Sequence, residues 1–356
     1  RLLEPDRLAE EAVVKPPVLV IHGDQDPVVP FEDMALAGNA LLDAGFETYG
    51  HVMQGTGHGI APDGLGVALQ FLKRGIHVIC DKPLTATLPE AKKLAKAAQA
   101  SGVVFALTHN YTGYPMIRQA AAMVKAGALG DIRLVQVEYA QDWLAEPIET
   151  SGQKQADWRT DPARAGAGGC IGDIGTHAYQ LAAFVSGLQT QSLCAELSAF
   201  VPGRALDDNV QVMLRFAGGA RGSLWASQVA PGNENGLRLR IYGDKAGLEW
   251  RQEHPNQLLW SPFGQATQIV SRGTGAANAD AARVTRLPSG HPEGYLEGFA
   301  TVYAEIAQAL RAARDGSAVS PDVVFPTIED GVHGMAFIEA AVRSSAQGGH
   351  WVEVPA

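Results

Sequence analysis

The chain has 356 residues, 46% hydrophobic and 19% charged, with a formal net charge of −10; this suits a globular protein of more than one domain, and without a long basic run it argues against nucleic acid or an anionic membrane as main partner. Cys80, Cys170 and Cys194 are far apart and form no Cys-x-x-Cys, so neither a disulfide framework nor a metal site is expected, and a reducing cytoplasm fits best. No apolar run of about 18 residues and no signal peptide is visible.

Strand and helix signals alternate from residue 17 to 108. The run Val18-Leu19-Val20-Ile21 ends in His22-Gly23, a buried strand and its turn. Phe31 to Ala44 reads as a helix stopped by Gly45, and Phe46 to Met53 as a strand. A helix from Leu65 to Lys73 ends at Gly75 and leads into a strand, Ile76 to Cys80. Thr87 and Glu90 form a capping box for a helix that runs through Ser101 and stops at Gly102. Val103 to Thr108 is the next strand. Such alternation predicts a parallel sheet with helices on its faces, an α/β layer.

Beyond about residue 130 the pattern becomes α+β. Strands are predicted at Ile132–Ala140, Ser192–Phe200, Asn209–Phe216, Gly222–Gln228, Leu237–Tyr242 and Gly247–Trp250, with Gly-, Pro- and Asn-rich turns between them. Helices are expected at 114–126, 172–186, 294–314 and 327–345. This describes an open, mainly antiparallel sheet with helices on one face. The stretch Gly273 to Ala282 is the best candidate for a mobile loop.

The strongest chemical signal is AGAGGCIGDIGTHAYQLAAFVSGL, Ala165 to Leu188. Its glycines open a helix on which Asp173 and His177, four apart, share a face. A carboxylate beside an imidazole can orient a hydroxyl and accept its proton. The same spacing also describes a plain Asp–His pair on a solvated helix face. Upstream, Asp81-Lys82-Pro83 follows an apolar strand, at the edge of a parallel sheet where ligands bind. His109-Asn110-Tyr111 ends the next strand, and Trp158-Arg159 shortly precedes the glycines.

Taken in order, Lys-Arg-Gly-x-x-Val-x-x-Asp-Lys-Pro, Trp-Arg, the glycines and Asp-x-x-x-His resemble the Gfo/Idh/MocA family of nicotinamide-dependent sugar and polyol dehydrogenases, from about Leu72 to Val354. The family usually has Glu where Asp81 stands. The resemblance implies a Rossmann-like layer followed by a substrate domain. It implies that Lys82 contacts the substrate hydroxyl and the nicotinamide ribose, that His177 takes the proton as hydride leaves carbon, and that Asp173 orients the hydroxyl. It also places Asp81 and Pro83 beside the cofactor, NAD or NADP. Tyr111, Trp143 and Arg159 are candidates for the sugar pocket, each equally readable as structural.

Such an enzyme should open with strand, Gly-x-Gly-x-x-Gly and helix, and this chain does not. Residues 1 to 73 instead resemble the C-terminal part of an α/β-hydrolase of carboxylesterase and phospholipase type, with Asp26 at the place of the triad acid and His58 at that of the base. The 25 residues before Asp26 contain no Ser, and no Gly-x-Ser-x-Gly occurs anywhere, so the pair has no nucleophile to activate. Gly55, Gly57 and Gly59, between a strand and a helix, are the one alternative cradle for a phosphate.

The chain is therefore expected to comprise a hydrolase-like fragment (1–73), the remainder of a Rossmann-like domain (74–111) and a substrate and oligomerisation domain (112–356). The fragment should pack beside Ile76–Cys80, in place of the missing Rossmann half. Three functions stay open: a sugar or polyol dehydrogenase, a binding-only chain without a usable cofactor site, and a hydrolase working through His58. A homo-oligomer is expected, formed on the uncovered sheet face.

Overall fold

The computed structural model describes residues 17–24, 30–54, 62–151 and 159–355 except 167, with isolated positions 9, 15, 153 and 156. Near the N-terminus, β1 (Val18–Gly23) pairs in parallel with β2 (Thr48–Met53), Val18 lying opposite Thr48 and Gly23 opposite Met53. Helix α1 (Phe31–Asp43) connects them and packs on both. Helix α2 (Pro62–Lys73) then buries Leu65 and Leu72 in the main core, against α3 (Leu88–Ser101). A second parallel pair follows, β3 (Val78–Cys80) with β4 (Phe105–Leu107).

The Thr87–Glu90 capping box is present, with Gly102 in the left-handed region at the far end of α3. Strand β3 is shorter than expected because its entry is used otherwise: the Ile76 amide closes the turn after α2 by donating to the Phe71 carbonyl, and His77 Nδ1 accepts the Val104 amide at 2.9 Å.

The placement of the N-terminal segment differs from expectation in one respect. Strands β1 and β2 form their own sheet and are not hydrogen-bonded to β3 and β4. A cleft separates the two pairs, lined by Val18–Gly23 on one side and Ile76–Cys80 on the other. The segment is anchored by the apolar face of α2, with Leu72 fully buried, rather than by a strand ladder, and Ile79 keeps 43% exposure at the open edge.

The rest of the chain builds a nine-stranded sheet in the order β12-β11-β10-β9-β5-β8-β7-β6-β13. Its strands are β5 (Ile132–Ala140), β6 (Thr190–Ser198), β7 (Asn209–Phe216), β8 (Arg221–Ser227), β9 (Gly236–Gly243), β10 (Ala246–Arg251), β11 (Gln257–Pro262), β12 (Gln268–Ser271) and β13 (Val352–Glu353). Every neighbouring pair is antiparallel except β5 with β8. Strands β11, β12 and β13 lie outside the predicted set: β11 shows no alternation of burial, and β12 and β13 are only four and two residues long.

One sheet face is covered by α4 (Pro115–Lys125), α5 (Thr176–Ser186) and α8 (Ile328–Ala346). Alternation along β7 shows why: Val210, Val212, Leu214 and Phe216 are buried, while Gln211, Met213 and Arg215 are exposed. The outer face carries the exposed side chains of Leu134, Met213, Tyr242 and Ile269, together with Glu138–Arg238–Glu249 ion pairs.

The stretch read as a mobile loop is partly helical and packed. Asn278 caps α6 (Ala279–Val284) through its side chain, its amide donates to Gln119 Oε1 at 2.7 Å, and Ala281 is fully buried. The small alanines allow α6 to lie against α4. The long helix α7 (Tyr295–Asp315) completes the domain beside the cleft.

Candidate active site

The cleft between β1 and β3 continues into the substrate domain and has a volume of about 1180 Å³. Lys82, Asp173 and His177 all line it, as do Asp81, Pro83, Tyr111, Trp143 and Arg159. Five of the expected positions, Asp26, His58, Gly55, Gly57 and Gly59, lie outside the described residues, as does Trp158.

Asp81 shapes the turn after β3. Its Oδ1 accepts the Thr108 hydroxyl at 2.6 Å and the Lys82 amide at 2.8 Å. The Lys82 side chain then crosses to the substrate domain, where Nζ donates to the Asp173 main-chain oxygen at 2.8 Å and to Asp173 Oδ1 at 3.1 Å.

The predicted single helix over 172–186 is in fact a π-turn, Ile171–Gly175, followed by α5. In it the Thr176 amide reaches back to the Ile171 carbonyl, a widened turn of the kind found at functional sites. Asp173 sits on this turn, and its carboxylate is directed at cations rather than at His177. Oδ2 accepts Arg159 Nε at 3.0 Å and Gln228 Nε2 at 2.9 Å. Burial alone would raise its pKa, but Arg159 and Lys82 prevail and hold it well below the usual carboxylate range. Asp173 is ionised at neutral pH.

His177 is held neutral. Burial is the main cause, Lys82 and His109 add to it, and Asp173 opposes it. The ring is boxed by aromatic edges, with centroids 5.2 Å from Tyr111 and 5.5 Å from His109. His109 is fully buried on the other side, and burial together with Lys82 lowers its pKa to about 3. A neutral imidazole beside a fixed ammonium can accept a proton from a hydroxyl that the ammonium has made more acidic. Cys80 is no rival nucleophile, since burial, helped by Asp81, pushes its thiol up to about 12.

A polar wall stands opposite. The Tyr111 and Tyr139 hydroxyls are 2.6 Å apart, and Tyr139 donates to Asn235 Oδ1 at 2.7 Å. Gln141 donates to the same oxygen at 2.9 Å and accepts Trp143 Nε1 at 3.0 Å. The Arg159 guanidinium lies 5.7 Å from the Trp143 ring centre. Tyr111, Trp143 and Arg159 all line the cleft. The structure adds Tyr139, Gln141, Gln228 and Asn235, and it sets His109, from the His-Asn-Tyr stretch after β4, against the His177 ring. Tyr139 sits on a strand whose alternation signals only a buried face, and Gln228 and Asn235 stand at a strand end and a turn, where a polar residue carries little signal.

Among the described residues no three His, Cys, Asp or Glu side chains are placed to hold a metal ion, and no helix is long and apolar enough to cross a membrane.

Family models match the chain in three places. The GFO/IDH/MocA C-terminal domain covers residues 117–249, the oxidoreductase-family NAD-binding Rossmann fold covers 62–122, and the Phospholipase/Carboxylesterase model covers 3–76. The last two overlap on α2, which places the junction of the two resemblances there. An uncharacterized oxidoreductase of Bacillus subtilis (strain 168), YfiI, is 35% identical over 289 residues, 79% of this chain and 72% of the relative. The crystal structure of an oxidoreductase from Sinorhizobium meliloti is 49% identical with a TM-score of 0.74, covering 90% of this chain and 83% of that one. An inositol dehydrogenase homolog from Azotobacter vinelandii, complexed with NAD+, is 29% identical with a TM-score of 0.81, covering 96% of this chain and 98% of that one. Most of the hydrolase-like segment therefore falls within the superposed region. The chain belongs to the GFO/IDH/MocA oxidoreductase family, and its first residues match the Phospholipase/Carboxylesterase model instead of opening with the glycine motif of a dinucleotide-binding fold.

Proposed function

We propose that the chain transfers a hydride between a nicotinamide dinucleotide, NAD or NADP, and a hydroxyl-bearing carbon of a sugar or cyclic polyol. The observation that carries this reading is the Lys82–Asp173 pair beside a neutral His177, at the inner end of a cleft of about 1180 Å³. That volume exceeds the usual range for a single small ligand, about 300–1,000 Å³, and suits a cofactor and a substrate side by side. The donor set at the inner end suits a nicotinamide and its ribose, with Lys82, Asp81 and Pro83 lining that stretch. Lys82 and Arg159 are both paired with Asp173, which favours an uncharged hydroxyl over a phosphate.

A bound nicotinamide supplies the hydride acceptor. The protein's own residues do the rest. Lys82 stabilises the substrate oxygen as negative charge develops on it. His177 takes the hydroxyl proton. Asp173 holds Lys82 and Arg159 in place. Tyr111, Tyr139 and Asn235 offer donors and acceptors to the remaining hydroxyls, and Trp143 offers a face for the apolar side of a ring.

This reading assigns residues 1–73 to a hydrolase-like layer standing in for half of a Rossmann domain, 74–111 to its remainder, and 112–356 to substrate binding and self-association, in a cytoplasmic protein. A second reading, a binding-only chain, is favoured by one observation: β1 ends in His22-Gly23 where a Gly-x-Gly-x-x-Gly turn would stand. An esterase reading lacks a nucleophile. The test is a panel of sugars and cyclic polyols assayed with NAD and NADP, alongside calorimetric titration with NADH and NADPH. Substrate-dependent reduction supports the first reading. Polyol binding with no dinucleotide binding supports the second and overturns the first.

A further inference from the structure

The turn that carries Asp173 is clamped from outside the cleft by a residue with no part in the proposed chemistry. The amides of Gly169, Cys170 and Ile171 lead into the π-turn, where a helix start leaves amides without internal partners. Asp207, in the connection between β6 and β7, accepts all three. Its Oδ1 takes the Gly169 amide at 2.7 Å, its Oδ2 the Ile171 amide at 2.8 Å, and its main-chain oxygen the Cys170 amide at 2.8 Å. The fit explains one of the glycines: a Cβ on Gly169 would stand 2.4 Å from the Asp207 carbonyl oxygen. The next residue extends the clamp, since the Asp208 main-chain oxygen accepts the Gln228 amide at 2.8 Å while the Gln228 side chain holds Asp173 Oδ2.

We infer that Asp207 is a positioning residue, fixing the π-turn so that Asp173 meets Lys82 and His177 faces the cleft. The inference rests on the proposed reaction only for its kinetic readout. Of these three bonds to one short segment, the two to the carboxylate are stronger than neutral ones. Their loss would let Asp173 and His177 drift relative to Lys82, which comes from the other layer of the molecule. A displacement of about 1 Å at reacting groups costs about 10²-fold in rate.

The test uses Asp207→Asn, which keeps the size and one acceptor oxygen, and Gly169→Ala, which pushes on the same contact from the other side. In the full chain both should lower kcat by about 10²-fold and leave KM within about twofold, since neither residue lines the polyol wall. Independently of turnover, amide exchange in the segment 168–177 should accelerate about tenfold or more, the loss of a charge-assisted hydrogen bond, with exchange in β9 and β10 unchanged. Asp207→Glu should recover part of both effects. If neither variant changes exchange in 168–177, the inference fails whatever the activity. If exchange rises but kcat does not, the clamp is structural only and the positioning role is overturned. A wild-type chain without turnover refutes the proposed reaction but leaves the exchange result decisive for the clamp.

Discussion

Lys82→Met retains much of the apolar stem and removes the ammonium, and its consequences can be worked from the distances. Lys82 Nζ is 3.1 Å from Asp173 Oδ1, both side chains being about 15% exposed. Two unit charges at that separation interact by about 5 kcal/mol at an effective dielectric of about 20, most of which desolvation takes back. Removing one partner from a buried pair costs about 3–5 kcal/mol. Asp173 keeps Arg159 at 3.0 Å and Gln228 at 2.9 Å, so the stability loss should fall below that range, at about 1–2 kcal/mol. The kinetic loss should be larger, because the ammonium acts where charge develops. Removing one such donor costs about 10²–10³ in kcat. The pKa values of His177 and His109 should both rise, since Lys82 lowers each of them. Single-turnover reduction of the nicotinamide, followed by its absorbance, gives the rate, and NMR titration of the imidazoles gives the shift. An unchanged rate would remove Lys82 from the mechanism, and unchanged imidazoles would refute the electrostatic argument.

Stability should depend on pH through the two buried histidines. His109 falls from an ordinary 6.5 to about 3 on folding, and His177 falls as well. The folded state therefore binds fewer protons, so their contribution is complete above about pH 6.5 and is lost as pH drops towards 3. Asp173, also depressed, adds a loss of the same sign below its ordinary 3.8. Melting temperatures measured across this window should fall steadily for the wild type and less for His109→Asn; a flat profile would contradict the burial argument. The outer face of the large sheet, with Leu134, Met213, Tyr242 and Ile269 exposed, should pair with a second copy. Sedimentation showing only monomer at micromolar concentration would defeat that expectation, and Leu134→Glu should weaken the assembly.

Much of this was legible in the sequence because it is written in local chemistry. Thr87, Glu90 and Gly102 announce a helix at both ends, and Val135, Val137 and Tyr139 announce a strand with one buried face. Lys82, Asp173 and His177 were legible as an ordered set of motifs and not from spacing. The four-residue interval suggested that Asp173 serves His177; the π-turn and the reach of Lys82, Arg159 and Gln228 across the fold direct that carboxylate elsewhere. Gln228, Asn235 and Asp207 were illegible for the same reason. Each acts through a partner dozens of residues away, and a lone polar residue at a strand end looks like any other. The relation of β1 to β3 was also beyond local reading, since apolar strands demand burial without saying which edge will be paired.

The central claim is direct hydride transfer in the cleft that holds Lys82, Asp173 and His177. It is tested most directly with a cyclic polyol deuterated on its hydroxyl-bearing carbons, incubated with the protein and the dinucleotide it binds, with mass analysis of the reduced dinucleotide. The expected result is one deuterium on the nicotinamide ring, formed by the wild type and strongly diminished in Lys82→Met. Reduced dinucleotide without label, or none formed across the whole panel, would contradict the claim.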